Sequence, residues 1–231
     1  GSRGTAAPSA RPHGRYLSWT VAALGLVFGV LSLIYFLSRP AAEPSVSNYV
    51  QLTHDGQQKS LIATDGARLY LSLGEVRSGS FASHGVAEMS VSGGETKKLS
   101  ILPSVDMVPL DLSPDGSELL AVDGQGAPPK GPLWSLRLLG GSPRRLGDMI
   151  AETGAWSPDG KALVYTNLGD IFVANADGSA SRKLLSVKGD ILNIEWSPDG
   201  RVLRFDASET AGTVGQQVEW EVAADGSGLH R

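Results

Sequence analysis

Twenty-four carboxylates, four histidines and no cysteine set what chemistry this 231-residue chain can do. Without Cys there is no disulfide scaffold, no Cys-ligated zinc or iron–sulfur site, no thiol catalysis and no lipid anchor on Cys. His13, His54, His84 and His230 are dispersed, without an HExxH or paired spacing. A Gly-x-Ser-x-Gly nucleophile elbow and a Gly-x-x-x-x-Gly-Lys-Ser/Thr phosphate loop are both absent. Eight Asp-Gly pairs put many carboxylates in turns. None fits the calcium loop Asp-x-Asp/Asn-x-Asp/Asn-Gly, so turn formation accounts for them better than metal binding. No catalytic, cofactor-binding or metal-ligating residue is singled out, and the expectation is a non-enzyme without a cofactor.

Those turns recur in register. Ser113-Pro114-Asp115-Gly116 returns as Ser157-Pro158-Asp159-Gly160 and as Ser197-Pro198-Asp199-Gly200, at spacings of 44 and 40 residues. An apolar residue precedes each copy (Leu112, Trp156, Trp196), and a short alternating run follows (118–122, 162–166, 202–206). Ile62-Ala63-Thr64-Asp65-Gly66 is a weaker first copy. A second landmark lies later in each unit, at Ser92-Gly93-Gly94, Leu139-Gly140-Gly141, Ala176-Asp177-Gly178 and Ala224-Asp225-Gly226. Basic residues and Leu follow the first three: Lys97-Lys98-Leu99, Arg144-Arg145-Leu146 and Arg182-Lys183-Leu184.

Pro presets φ in a type I turn, Ser or Asp bonds the local backbone, and Gly accepts the positive φ that follows. Each unit therefore reads as four short antiparallel strands joined by tight turns. Four such strands per 40–45 residues match a β-propeller blade. The expected fold is an all-β propeller over residues 49–231. Its blades fall at about 54–104, 105–148, 149–187 and 188–231, and the ring is expected to be incomplete. Residues 49–53 (Tyr-Val-Gln-Leu-Thr) could close the last blade. Trp156 and Trp196 share a repeat position and read as core between blades; Trp134, Phe172 and Trp220 read likewise. Polar segments around Gly79 and Gly85, and from Gly124 to Gly131, break the repeat as longer loops. They read as surface irregularity, with specificity as the alternative.

Charge divides the chain differently. All charged residues before Pro40 are basic, namely Arg3, Arg11, Arg15 and Arg39. The overall net charge of −4 thus leaves −8 on residues 40–231, from 16 bases and 24 acids. No charge occurs from Tyr16 to Ser38. As a helix this stretch would span roughly 34 Å, against about 30 Å of bilayer hydrocarbon. Tyr16 and Trp19 stand at one end, Tyr35 and Phe36 at the other, as at two membrane interfaces. A cleaved signal peptide fits less well, because the apolar stretch is long and the Ser-Arg-Pro-Ala that follows is a poor cleavage site. The expectation is a flexible basic linker (1–15), a membrane helix (16–38), a second linker (39–48) and a propeller outside the cytoplasm, in the periplasm of a Gram-negative cell. At −8, the outer part should not bind nucleic acid by itself.

The run Trp-Ser-Pro-Asp-Gly-Lys-Ala-Leu at 156–163, with Ala-Asp-Gly-Ser-Ala-Ser-Arg-Lys-Leu at 176–184, resembles the TolB-like subgroup of WD-type propellers. The whole layout is similar to acidobacterial membrane-bound regulators of the ToxR/CadC type, in which a winged-helix DNA-binding domain precedes the membrane helix. That resemblance implies a missing cytoplasmic domain and a sensor propeller that binds a protein or small ligand and regulates transcription. Membrane serine/threonine kinases share the same outer half, and a TolB-like envelope scaffold is a further reading.

Overall fold

The computed structural model describes residues 27–30, 32, 35, 49–77, 80–103, 107–124, 129–208 and 217–231. It divides into two units, residues 1–50 and 51–231. In the first unit, residues 27–30, 32 and 35 are helical. The rest of the expected span from Tyr16 to Ser38 lies outside the described residues. Among the described residues no helix is long and apolar enough to cross a membrane, so the span has no support from the structure.

Among the described residues the second unit holds fifteen strands in four antiparallel sheets. The first sheet runs β1 (Gln58–Thr64), β2 (Arg68–Arg77), β3 (Ser80–Ser90) and β4 (Lys97–Leu99). The second runs β5 (Met107–Leu112), β6 (Glu118–Asp123), β7 (Gly131–Arg137) and β8 (Arg144–Ala151). The third runs β9 (Gly154–Trp156), β10 (Ala162–Asn167), β11 (Asp170–Asn175) and β12 (Arg182–Ser186). The fourth has β13 (Ile191–Trp196), β14 (Val202–Ser208) and β15 (Gln217–Ala223). First strands pack in series, β1 on β5, β5 on β9 and β9 on β13. Among the described residues no comparable packing joins β13 to β1. The result is a four-bladed, propeller-like all-β arrangement.

Three cores lie between the sheets. Val86, Met107, Leu119, Ala121 and Leu136 fill the first gap. Leu120, Val122, Leu133, Leu146, Trp156, Leu163 and Tyr165 fill the second. Val164, Ile171, Ile191, Ile194, Leu203 and Phe205 fill the third. Successive residues of β6 therefore point into different cores, Leu119 and Ala121 to one side, Leu120 and Val122 to the other. This corrects the expectation of alternating second strands. In both β6 and β10 the four central residues are all buried, because each sheet is covered on both faces. By contrast β14 alternates, with Leu203, Phe205 and Ala207 buried but Arg204 exposed.

Two further expectations change. Residues 49–53 form no strand. Leu52 lies against Gly93, at the β3–β4 turn of the first sheet. On β15 the chain supplies its own neighbour, an antiparallel bridge between Glu221 and His230. Gly85 is not in a loop either; it pairs with Leu73 inside β3, where the register slips by one residue. Residues 125–128 of the second repeat-breaking segment lie outside the described residues.

The Gly of the second landmark serves packing as well as turning. Gly178 has φ +87°, and a Cβ there would sit 2.6 Å from the Leu146 carbonyl carbon in the neighbouring sheet. Gly66 has nearly the same φ, +86°, with open space around it. Gly66→Ala should cost about 1 kcal/mol, the backbone penalty alone. Gly178→Ala should cost about 3 kcal/mol, since backbone must also move. Urea unfolding of the two variants measures the difference.

Candidate functional site

In an antiparallel meander successive connections alternate between the two ends of a sheet. The Ser-Pro-Asp-Gly turns and the Asp-Gly-Ser turns therefore share one rim. Clefts open between neighbouring sheets along that rim. One, about 700 Å³, lies between the second and third sheets and includes Asp115, Glu118, Arg144, Trp156, Asp159 and Asp177. Related clefts of about 520 and 480 Å³ lie one sheet before and one sheet after.

The carboxylates on this rim are already engaged. Ser157 Oγ donates to Asp159 Oδ1 at 2.7 Å, and the Lys161 amide donates to the same oxygen at 3.1 Å. Ser157 Oγ accepts from the Ala162 amide at 2.9 Å, and the Gly160 amide closes the turn onto the Ser157 carbonyl at 2.8 Å. Ser113–Asp115 and Ser197–Asp199 repeat the pattern with serine–carboxylate bonds of 2.6 Å each. Thr64 and Asp65 make a looser version, Asp65 accepting from the Arg68 amide at 2.6 Å. The serine hydroxyl, then the local amide, holds Asp159 and Asp199 below the usual carboxylate range. At Asp115 the Ser113 and Ser117 hydroxyls do so. These are anionic turn staples, not proton donors.

Arg144 reaches Glu118 at 3.5 Å, while Glu118 also takes a 2.5 Å bond from Ser135 and faces Arg137 at 3.8 Å. The other basic residues of the second landmark lie on exposed outer strands. Lys97 pairs with Glu88 at 3.2 Å and Lys183 with Asp170 at 2.7 Å. Such charges guard an edge strand against pairing with another chain. The expected Trp positions are core: Trp156 is 6% exposed, and Trp196 packs against the third core. Tyr165 stacks on Phe172 at 5.0 Å. His54, His84 and His230 are exposed and separate, and His13 lies outside the described residues. Among the described residues no three His, Asp or Glu side chains are placed to hold a metal ion.

Two carboxylates that sequence reasoning passed over matter more for the architecture. Asp111 Oδ2 accepts from the Trp156 amide at 2.8 Å, and Oδ1 accepts from the Leu112 amide at 2.7 Å. It thereby ties β5 to β9 across the gap between sheets. Burial pushes its carboxyl above the usual range, despite both amides. Glu152, 6% exposed, accepts from the Leu168 amide at 3.1 Å and has Lys130 at 3.9 Å. The only local signal for Asp111 is an acid inside the apolar run Met-Val-Pro-Leu-Asp-Leu; its partner comes from 45 residues away.

Ser157→Ala removes two turn bonds from a buried position and should cost about 1 kcal/mol at neutral pH. The loss should shrink as the pH falls through the depressed Asp159 value, because protonation already weakens the staple. Urea titrations at neutral and acid pH test this. Asp111 has the opposite sign: its raised folded value means stability is lost as pH rises from the unfolded value toward the folded one. Asp111→Asn cannot ionise. Its melting temperature should therefore improve relative to the parent's as pH rises from about 4 to about 7.

No family model matches the chain. It is 32% identical over 125 residues to an uncharacterized protein of Agrobacterium fabrum, covering 52% of this chain and 41% of that one. It is 36% identical over 101 residues to the Tol-Pal system protein TolB of Anaeromyxobacter dehalogenans, covering 42% of this chain and 23% of that one. A TolB homolog of Chlorobium luteolum is 29% identical over 121 residues, covering 49% and 26%. The chain thus spans less than half the length of these curated relatives. Among solved structures, a TolB-type protein of Agrobacterium tumefaciens matches with a TM-score of 0.56 at 20% identity, over 72% of this chain and 61% of that one. TolB of Acinetobacter baumannii matches at 0.51 and 18%, over 74% and 41%. Residues 51–231 have a TolB-like propeller fold.

Proposed function

We propose that the chain is a protein-binding propeller of the cell envelope, a scaffold of the TolB type, and not an enzyme. The carrying observation is the likeness to relatives named for the Tol-Pal system, at 36% identity over 101 residues. The rim supports the reading chemically. Its carboxylates are engaged in turns, and its clefts join rigid sheets, which suits recognition of a folded partner better than covalent chemistry. The uncharged stretch from Tyr16 to Ser38, with more base on its N-terminal side, favours placing the propeller outside the cytoplasm. Service as the sensor half of a membrane-bound transcriptional regulator or kinase is the second reading, and it rests on that stretch.

Deleting the gene should sensitise cells to detergents and leave transcript levels unchanged. A strain carrying Arg144→Glu in place of the native chain should show the same sensitivity at normal protein abundance. A transcriptional change without an envelope defect would overturn the scaffold reading in favour of the regulator.

A further inference from the structure

Asp-Gly is a dipeptide prone to rearrange, because Gly has no Cβ to keep its nitrogen from the preceding carboxyl. The nitrogen attacks Cγ and gives up its proton, a carboxyl oxygen leaves as water, and a cyclic imide forms. Water then adds to either imide carbonyl and reopens the ring. One product is aspartate. The other is isoaspartate, whose main chain runs through Cβ and Cγ. Water is the sole co-reactant, and the mass is unchanged. Ring closure needs both ends free: the carboxyl must swing over the amide, and the amide must leave its hydrogen bond.

The chain has eight Asp-Gly pairs, and its turns tie both ends of six of them. The carboxylates of Asp115, Asp159 and Asp199 each accept from a serine hydroxyl and from the amide two residues on, the latter at 3.0, 3.1 and 3.1 Å. The amides of Gly116, Gly160 and Gly200 each donate to the turn's serine carbonyl at 2.8 Å. Asp177 and Asp225 accept from the Ser179 and Ser227 amides at 2.8 and 2.9 Å, while Gly178 and Gly226 donate to the Asn175 and Ala223 carbonyls at 2.9 and 2.8 Å. Asp65 accepts from the Ala67 amide at 2.9 Å, and Gly66 donates to Thr64 Oγ1 at 3.0 Å. Asp123-Gly124 adjoins residues outside the described ones and is not among the pairs compared.

Asp55-Gly56 is tied at one end only. Its carboxylate accepts from Lys59, from the Gln57 amide at 3.2 Å and from Thr96 Oγ1 at 3.4 Å. The Gly56 amide has no hydrogen bond to the described residues. Gly56 has φ +68° and open space around it. Exposure does not separate this pair from the others, because Asp55 and the six tied aspartates are all exposed. Nor does protonation, since hydrogen bonds hold all of these carboxyls below the usual range. What separates them is the glycine amide.

We propose that Asp55-Gly56 is a site of spontaneous isoaspartate formation in the folded chain, and that the turn bonds protect the six tied pairs. The lesion falls before β1, so the turns that start the second strands are spared. The serine–aspartate turn thus keeps the tight Asp-Gly geometry without its chemical liability. The proposal does not depend on the envelope-scaffold reading.

The test ages the full chain, folded in a mild non-ionic detergent and again unfolded in urea, in the same mildly acidic buffer. Isoaspartate is then located by peptide mapping with mass spectrometry. Each hydrogen bond that must break slows closure about two- to tenfold, so folded Asp55 should isomerise about fivefold or more faster than any tied aspartate. In urea that lead should vanish. Ser157→Ala should raise isoaspartate at Asp159 by about two- to tenfold and leave Asp199 of the same molecules unchanged. A rise at both positions in the variant would mean general unfolding and would count against protection by the local serine. Tied aspartates that keep pace with Asp55 in the folded chain would overturn the proposal, and so would a lead of Asp55 that persists in urea.

Discussion

No sheet in this protein can bury its apolar surface alone. Strands of about six residues in three- or four-stranded sheets are marginal in water unless something covers a face. Stacking supplies the cover. Four of the six residues of β6 feed two cores at once, and β10 does the same for the next pair. Removing any internal sheet would therefore expose its neighbours on both sides, as in a nearest-neighbour array. The turns, the edge charges and the orientation of every rim group follow from that stacking.

Within it, the polar chemistry of the chain is devoted to geometry. The serine–aspartate staple fixes where the second strand of each sheet begins, with Ser157 bonding both Asp159 and the Ala162 amide. Asp111 does across sheets what the staples do within one, fastening β5 to β9 at a backbone amide. A carboxylate that accepts two amides, or a hydroxyl plus an amide, is held in one orientation by the backbone it bonds. Surface shape and exposed charge are what the rim presents, and Arg144, exposed beside the cleft between the second and third sheets, is part of that charge.

The turns were legible in the sequence because their chemistry is local. Ser, Pro, Asp and Gly within four residues specify a conformation whatever lies around them, and three copies at similar spacing imply a repeated sheet. Trp156 and Trp196 could be assigned to core from their shared repeat position. What could not be read depended on partners distant in sequence. The continuous burial of β6 follows from having sheets on both sides, which no window of residues displays. Asp111 looks like an exception in an apolar run until β9 arrives beside it. Residues 49–53 resembled an outer strand in pattern, but pairing also needs a vacant edge, and His230 already meets β15 at Glu221. Gly85 looked like a loop residue because small polar neighbours surround it, yet a bulge accommodates the same composition inside a strand.

The same stacking makes the sheets unequal. The second and third have apolar cores on both faces, whereas the fourth has one core, three strands and a single bridge beyond β15. Local opening is easiest where buried apolar contact is least, so the fourth sheet should open at lower free energy than the second or third. The change in β14 from continuous to alternating burial is compatible with that exposure: Arg204 and Asp206 can remain hydrated where Val164 and Leu120 could not. Opening is thus expected first at the fourth sheet, where charge replaces the apolar face, and last in the two sheets that are covered on both faces.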